Sequence, residues 1–74
     1  MATLDVRAMM REGGEPFQAI MSAVENLAAA EDFELLAPLD PEPLKQLLLT
    51  RGFTPETEAL GGGDFRVLFR RREA

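Results

Sequence analysis

From Thr3 to Arg7, apolar and polar residues alternate. Leu4 and Val6 fall on one side and Asp5 and Arg7 on the other, the period of a half-buried strand. Gly13-Gly14 breaks regular structure, so residues 8–15 read as a loop. Pro16 suits the first turn of a helix, where its missing N–H leaves no bond unmade. Phe17, Ile20, Met21, Val24, Leu27 and Ala28 then recur at three- and four-residue steps, which predicts an amphipathic helix ending near Ala29 or Ala30. Phe33, Leu35 and Ala37 alternate with Asp32, Glu34 and Leu36 in a second strand, closed by Pro38. Asp40-Pro41-Glu42-Pro43 reads as a second helix start, with Asp40 as N-cap and Pro41 at the first helical position. Leu44, Leu47, Leu48 and Arg51 share one face of that helix, and Gly52 is placed for a left-handed C-terminal cap.

Phe53 to Leu60 is a third strand, and Pro55 confines it to a sheet edge because proline cannot donate to a ladder. Gly61-Gly62-Gly63 reverses the chain, and Phe65, Val67 and Phe69 alternate with Arg66, Leu68 and Arg70 in a fourth strand. A three-residue loop would set Leu60 opposite Asp64 and Glu58 opposite Arg66. The second pair would support the register by a few tenths to about 1 kcal/mol.

The order is βαβαββ. Strands joined through a helix are parallel with right-handed crossovers, and the last two strands form an antiparallel hairpin. A sheet order of 1-2-4-3 places Pro55 on an edge and the apolar fourth strand inside. Both crossovers then run in one direction, which puts both helices on one face. The expected fold is an α/β (α+β) two-layer sandwich over a mixed four-stranded sheet, a single domain spanning residues 1–74. The expected core is Leu4, Val6, Phe17, Ile20, Met21, Val24, Leu27, Phe33, Leu35, Leu44, Leu47, Leu48, Phe53, Phe65, Val67 and Phe69. The open face carries Asp5, Arg7, Glu34, Leu36, Glu56, Glu58, Arg66, Leu68 and Arg70, with Leu36 and Leu68 near its middle.

Composition narrows the chemistry. The 74 residues include no Cys and no His, so the chain's own side chains cannot supply disulfides, thiolate nucleophiles, imidazole bases or a zinc site. Asp5 and Arg7 interrupt the start where a signal peptide needs an apolar run, and no run reaches membrane-spanning length, so a cytoplasmic protein is expected. A net charge of −5 repels nucleic acid and anionic membranes, and the Arg70-Arg71-Arg72 cluster reads as a solvated basic segment.

These residues carry a resemblance along nearly the whole chain: Leu4-Asp5-Val6-Arg7, Glu15-Pro16, Glu31, Asp40-Pro41, Arg51-Gly52-Phe53 and Arg66-Val67-Leu68-Phe69-Arg70. In order and spacing they resemble the TusA/SirA-like family of small sulfur carriers, most closely its uncharacterised relatives that lack the cysteine. The resemblance implies the same βαβαββ sandwich. Sulfur-carrying members start the first helix with a Cys-Pro-x-Pro motif whose cysteine bears a persulfide. Here Gly13-Gly14-Glu15-Pro16 stands at that place, behind a loop about two residues longer. Pro16 is retained and Gly13 falls where the cysteine would be. Without a thiol the chain cannot carry sulfur.

Candidate sites remain at that corner and on the open face. The helix start at Gly13, Gly14, Glu15 and Pro16 could hold a small anion through free N–H groups around Gly14 to Phe17, with Arg7 and Arg11 supplying positive charge. The simpler reading makes the glycines a tight corner and Glu15 an internal cap. Met9 and Met10 suggest a soft metal, but no Cys or His completes a ligand set, and they read as a hydrophobic anchor. The carboxylate pairs Glu31-Asp32, Asp40/Glu42 and Glu56/Glu58 lie in turns or on an edge, where water keeps them ordinary acids. The expected function is a non-catalytic, TusA-like interaction module without cofactor or metal. It would bind a protein partner through the corner and through Leu36, Arg66, Leu68 and Arg70, with self-association as a further possibility. The alternative is a small-anion or small-ligand domain at the first helix start.

Overall fold

The computed structural model describes residues 1–72. The elements run β1 (Ala2–Asp5), α1 (Arg7–Arg11), α2 (Phe17–Glu25), β2 (Phe33–Ala37), α3 (Glu42–Thr50), β3 (Phe53–Gly61) and β4 (Asp64–Arg71). The strands form one mixed sheet in the order β1-β2-β4-β3. β1 pairs parallel with β2, and β4 pairs antiparallel with both β2 and β3. This is the two-layer sandwich expected from pattern. The hydrophobic period puts Phe33, Leu35, Ala37, Phe53, Val67 and Phe69 on one sheet face, where they are buried beneath Ile20 and Val24 of α2 and Leu48 of α3. Phe69 stacks on Phe33 at 6.0 Å between ring centroids and meets Phe53 edge-on at 6.5 Å, so one ring links three strands.

The N-terminal stretch departs from expectation. Residues 8–15 are not all loop, because Arg7–Arg11 is a short helix and β1 stops at Asp5. The Asp5 carboxylate accepts the Arg7 N–H at 3.0 Å, an Asx turn that ends the strand and opens the helix. Val6 still extends the parallel ladder by donating to Leu36 O at 2.9 Å, while its own carbonyl accepts the Met10 N–H at 3.0 Å. Ala8, Met9, Met10 and Arg11 are strong helix formers, and this local preference outweighs the two-residue alternation that suggested a longer strand.

α2 begins at Phe17 and ends at Glu25, four residues short of Ala29, where Asn26 turns back on Ser22 and Ala23. Phe17, in the first turn of α2, is 51% exposed rather than core. Asp40 is not the cap of α3. Pro41 occupies that position, Pro43 lies in the first turn, and the Asp40 side chain reaches Lys45 instead. The β3–β4 turn is shorter than the glycine triplet suggests. Gly61 pairs with Asp64 and Ala59 with Phe65, so Leu60 is an unpaired bulge residue and does not face Asp64. Glu58 does face Arg66, as expected.

Candidate functional site

Gly13-Gly14 closes α1. The Gly13 N–H donates to Met10 O at 3.1 Å and the Gly14 N–H to Met9 O at 2.9 Å, the paired bonds of a Schellman cap, with Gly13 at φ +85°. A Cβ on Gly14 would stand 2.8 Å from Met9 Cγ and 3.0 Å from Met9 O, so the second glycine serves close approach. Beyond the cap, Glu15 Oε1 accepts the Phe17 N–H at 2.6 Å. The corner's N–H groups at residues 13, 14 and 17 are thus taken from within the chain.

The two arginines turn to aspartates and away from those N–H groups. Arg7 holds both oxygens of Asp5, at 3.0 and 2.8 Å, and reaches Asp64 at 3.1 Å; Arg11 reaches the other Asp64 oxygen at 2.7 Å. Hydrogen bonds from Arg7 pull the Asp5 carboxyl from its ordinary 3.8 to about 2, and the same donations, to Asp5 first and then to Asp64, raise Arg7 further above its already high value. A sequence read one element at a time could not show this network, because Asp64 arrives from the start of β4.

The open face is laced with ion pairs. Arg66 bridges Glu34, at 3.5 Å, and Glu58, and Arg70 meets Glu56 at 3.0 Å. Leu36 pairs with Arg66 and Leu68 with Glu34 in the ladder, so the two leucines lie diagonally apart, each half-buried. The basic terminal segment is also engaged. Arg71 lies 4.2 Å over the Phe53 ring, and Arg72 donates to Leu49 O at 2.9 Å.

The feature that the sequence did not disclose is an apolar cleft of about 360 Å³ at the carboxyl ends of β1 and β2. Its floor is Val6, Leu35 and Ala37. One side is Met10, Pro16 and Ile20, and the other is Pro41, Pro43, Leu44 and Leu47. Phe17 and the 46% exposed Leu39 stand at its edge. Two of its constituents are the proline-marked starts of α2 and α3, so the sequence that begins each helix also shapes a wall. The one available signal was Leu39, an apolar residue between Pro38 and Asp40 that belongs to no strand or helix period.

On the α3 side, Lys45 is only 12% exposed and meets Asp40 at 2.8 Å, Glu42 at 3.0 Å and Thr57 Oγ1 at 3.0 Å. Two carboxylates and a hydroxyl surround the ammonium, and they join the start of α3 to β3. The hydrogen bond to Asp40, followed by that to Glu42, raises the Lys45 pKa despite desolvation. A cation so held is a structural tie, and its raised pKa opposes any role as a base. Among the described residues, no group of three or more Asp or Glu side chains is placed to hold a metal ion, and no helix is long and apolar enough to cross a membrane.

Fold and site together define a small α+β sandwich with an apolar cleft where its parallel strands end. The chain belongs to an uncharacterized conserved protein family, DUF2249, whose model matches residues 3–71. No match is found among curated proteins, and none among solved structures.

Proposed function

We propose that the domain is a non-catalytic, TusA-like recognition module whose contact surface is the cleft between the starts of α2 and α3. The observation that carries this reading is the cleft itself, an apolar floor continued at the surface by the half-exposed Phe17 and Leu39. Large side chains left at the mouth of an apolar recess are the surface anatomy of a protein contact. The sheet order β1-β2-β4-β3 and the retained Glu15-Pro16 support the TusA-like relation, and the absence of Cys removes sulfur carriage from it. The open sheet face is the lesser surface, because Arg66 and Arg70 already have carboxylate partners there.

Site-specific photo-crosslinking in cells tests the reading. A benzophenone side chain placed at Leu39 should yield a discrete protein adduct that Phe17→Ser diminishes, while the same group at Leu68 should yield little. Adducts from Leu68 alone, or none from either position, would count against it.

A further inference from the structure

The outer side of α2 borders a groove distinct from the cleft. Ile20 and Val24 turn to the sheet, which leaves Gln18, Ser22 and Glu25 exposed, Met21 half-buried and Phe17 51% exposed. Phe17, Met21 and Glu25 recur at four-residue steps and form one stripe along the helix. β1, β2 and β3 run in one direction, because β1 is parallel to β2 and β4 is antiparallel to both β2 and β3. The helices that connect them also share a direction, so Arg51, just beyond the end of α3, stands toward the Glu25 end of α2. Together these residues line a groove of about 450 Å³, and Phe17 divides it from the apolar cleft because it lines both.

The two ends of this groove differ. The Phe17 ring and the adjacent Glu15 mark one end. Arg51 and Glu25 mark the other, with Arg72 drawn to the end of α3 by its hydrogen bond to Leu49 O at 2.9 Å. Seven of the eight Lys and Arg side chains have partners. Carboxylates hold Arg7, Arg11, Lys45, Arg66 and Arg70, the Phe53 ring carries Arg71, and Leu49 O accepts from Arg72. Among the described residues, Arg51 alone makes no ion pair, hydrogen bond or ring contact. A guanidinium packs on aromatic faces and bridges carboxylates, and the groove holds a half-exposed ring at the end opposite Arg51.

We infer that the groove is a contact between two copies of this chain, with α2 packed antiparallel on α2 of the second copy about a two-fold axis near Met21. A two-fold contact uses one patch on both copies, so the patch must carry both halves of each interaction. Reversing α2 supplies them: Phe17 of each copy lies on Met21 and the aliphatic stem of Arg51 of the other, and the guanidinium meets Glu15 across the axis while keeping Glu25 beside it. One guanidinium between two carboxylates is an arrangement that this chain already forms with Arg66, between Glu34 and Glu58, and with Arg7, between Asp5 and Asp64. The opposed dipoles of the two helices attract as well. A nine-residue helix is about 14 Å long, so the contact is small and the dimer transient, dissociating on the order of 100 µM.

Amide spectra and sedimentation equilibrium of the labelled domain between about 20 µM and about 2 mM test the contact. The Gln18, Met21, Ser22 and Glu25 signals should move with concentration while Leu36 and Leu68 stay still. Arg51→Glu sets a carboxylate against Glu15, and Gln18→Arg sets a guanidinium against Arg51, both at exposed positions that leave the core intact. Each variant alone should dissociate at least about fivefold more readily than the wild type. Mixed together, the two variants complement each other, and association should return to the wild-type level or above. Leu39→Ser, which lies in the cleft and outside the groove, should leave association unchanged. A monomer by both methods throughout the range, wild-type association of either charge variant alone, or no recovery on mixing overturns the dimer. Any of these results with the Leu39 crosslinks intact leaves the cleft reading standing, whereas loss of those crosslinks with the mixing result intact overturns the cleft reading and upholds the dimer.

Discussion

Arg7 Nη1 donates to Asp64 Oδ2 at 3.1 Å across 57 residues of sequence, while Nε and Nη2 of the same guanidinium hold both oxygens of Asp5. One side chain thereby fixes the exit of β1 against the start of β4, and Arg11 adds a second contact to the 19% exposed Asp64. Asp64→Asn should lower unfolding free energy by about 1 kcal/mol, since it weakens two charge-assisted hydrogen bonds at a partly exposed site. In double-mutant cycles read by urea unfolding, Asp64 should couple more strongly to Arg7 than to the more exposed Arg11. A larger coupling to Arg11 would mean that the tie lies elsewhere.

Acid should loosen the same corner. The Asp5 carboxyl titrates lower in the folded chain than its ordinary 3.8, at about 2, because Arg7 hydrogen-bonds the charged form. A depressed carboxyl contributes stability that is present above about pH 4 and lost as pH falls through about 2. Carboxyl NMR should place the Asp5 midpoint near 2 in the native chain and return it toward 3.8 in Arg7→Gln. An unchanged midpoint in that variant would rule out Arg7 as the cause.

The glycine pair should respond asymmetrically. Gly13→Ala meets no neighbour within 4 Å and carries only the cost of a left-handed conformation, about 1–2 kcal/mol. Gly14→Ala drives its Cβ against Met9, including the backbone oxygen at 3.0 Å. Amide exchange should therefore rise through Arg7–Arg11 in both variants, and Gly14→Ala should also displace the Met9 side-chain signals.

Removing Lys45 should separate α3 from β3. Lys45→Ala leaves Asp40 and Glu42 facing each other without their cation, and a loss of about 2 kcal/mol is expected in denaturant unfolding. Because the folded pKa is raised, the contribution of Lys45 is fully present below its ordinary 10.5 and disappears as pH climbs through the higher folded value. The wild type should lose stability across that alkaline range, and Lys45→Met should lose less.

Much of this fold could be read from residue period alone. Phe33, Leu35 and Ala37 are buried in alternation as their spacing demands, Pro55 lies on the edge strand, and Gly52 follows α3 with φ +92°. Helix α1 was missed because five residues are too few to show a helical stripe. Asp5 before it and Gly13-Gly14 behind it were nonetheless a start and a stop signal. The cleft had no local signature at all. Phe17 fits the apolar stripe of α2, yet whether a stripe residue is covered depends on where the first turn sits against a sheet built from distant segments. Leu39 and Pro41 meet Ile20 and Val6 only after the crossover is made, so the site belongs to the packing of two helix starts and to neither alone.

The central claim is that contact is made at this cleft and not on the open sheet face, and an amide chemical-shift map of the labelled domain bound to its crosslinked partner separates the two most directly. The account predicts perturbations gathered on Ile20, Ala37, Leu39 and Leu44, and lost in Phe17→Ser. Perturbations centred on Leu36, Arg66 and Leu68, with the cleft signals unmoved, would contradict it.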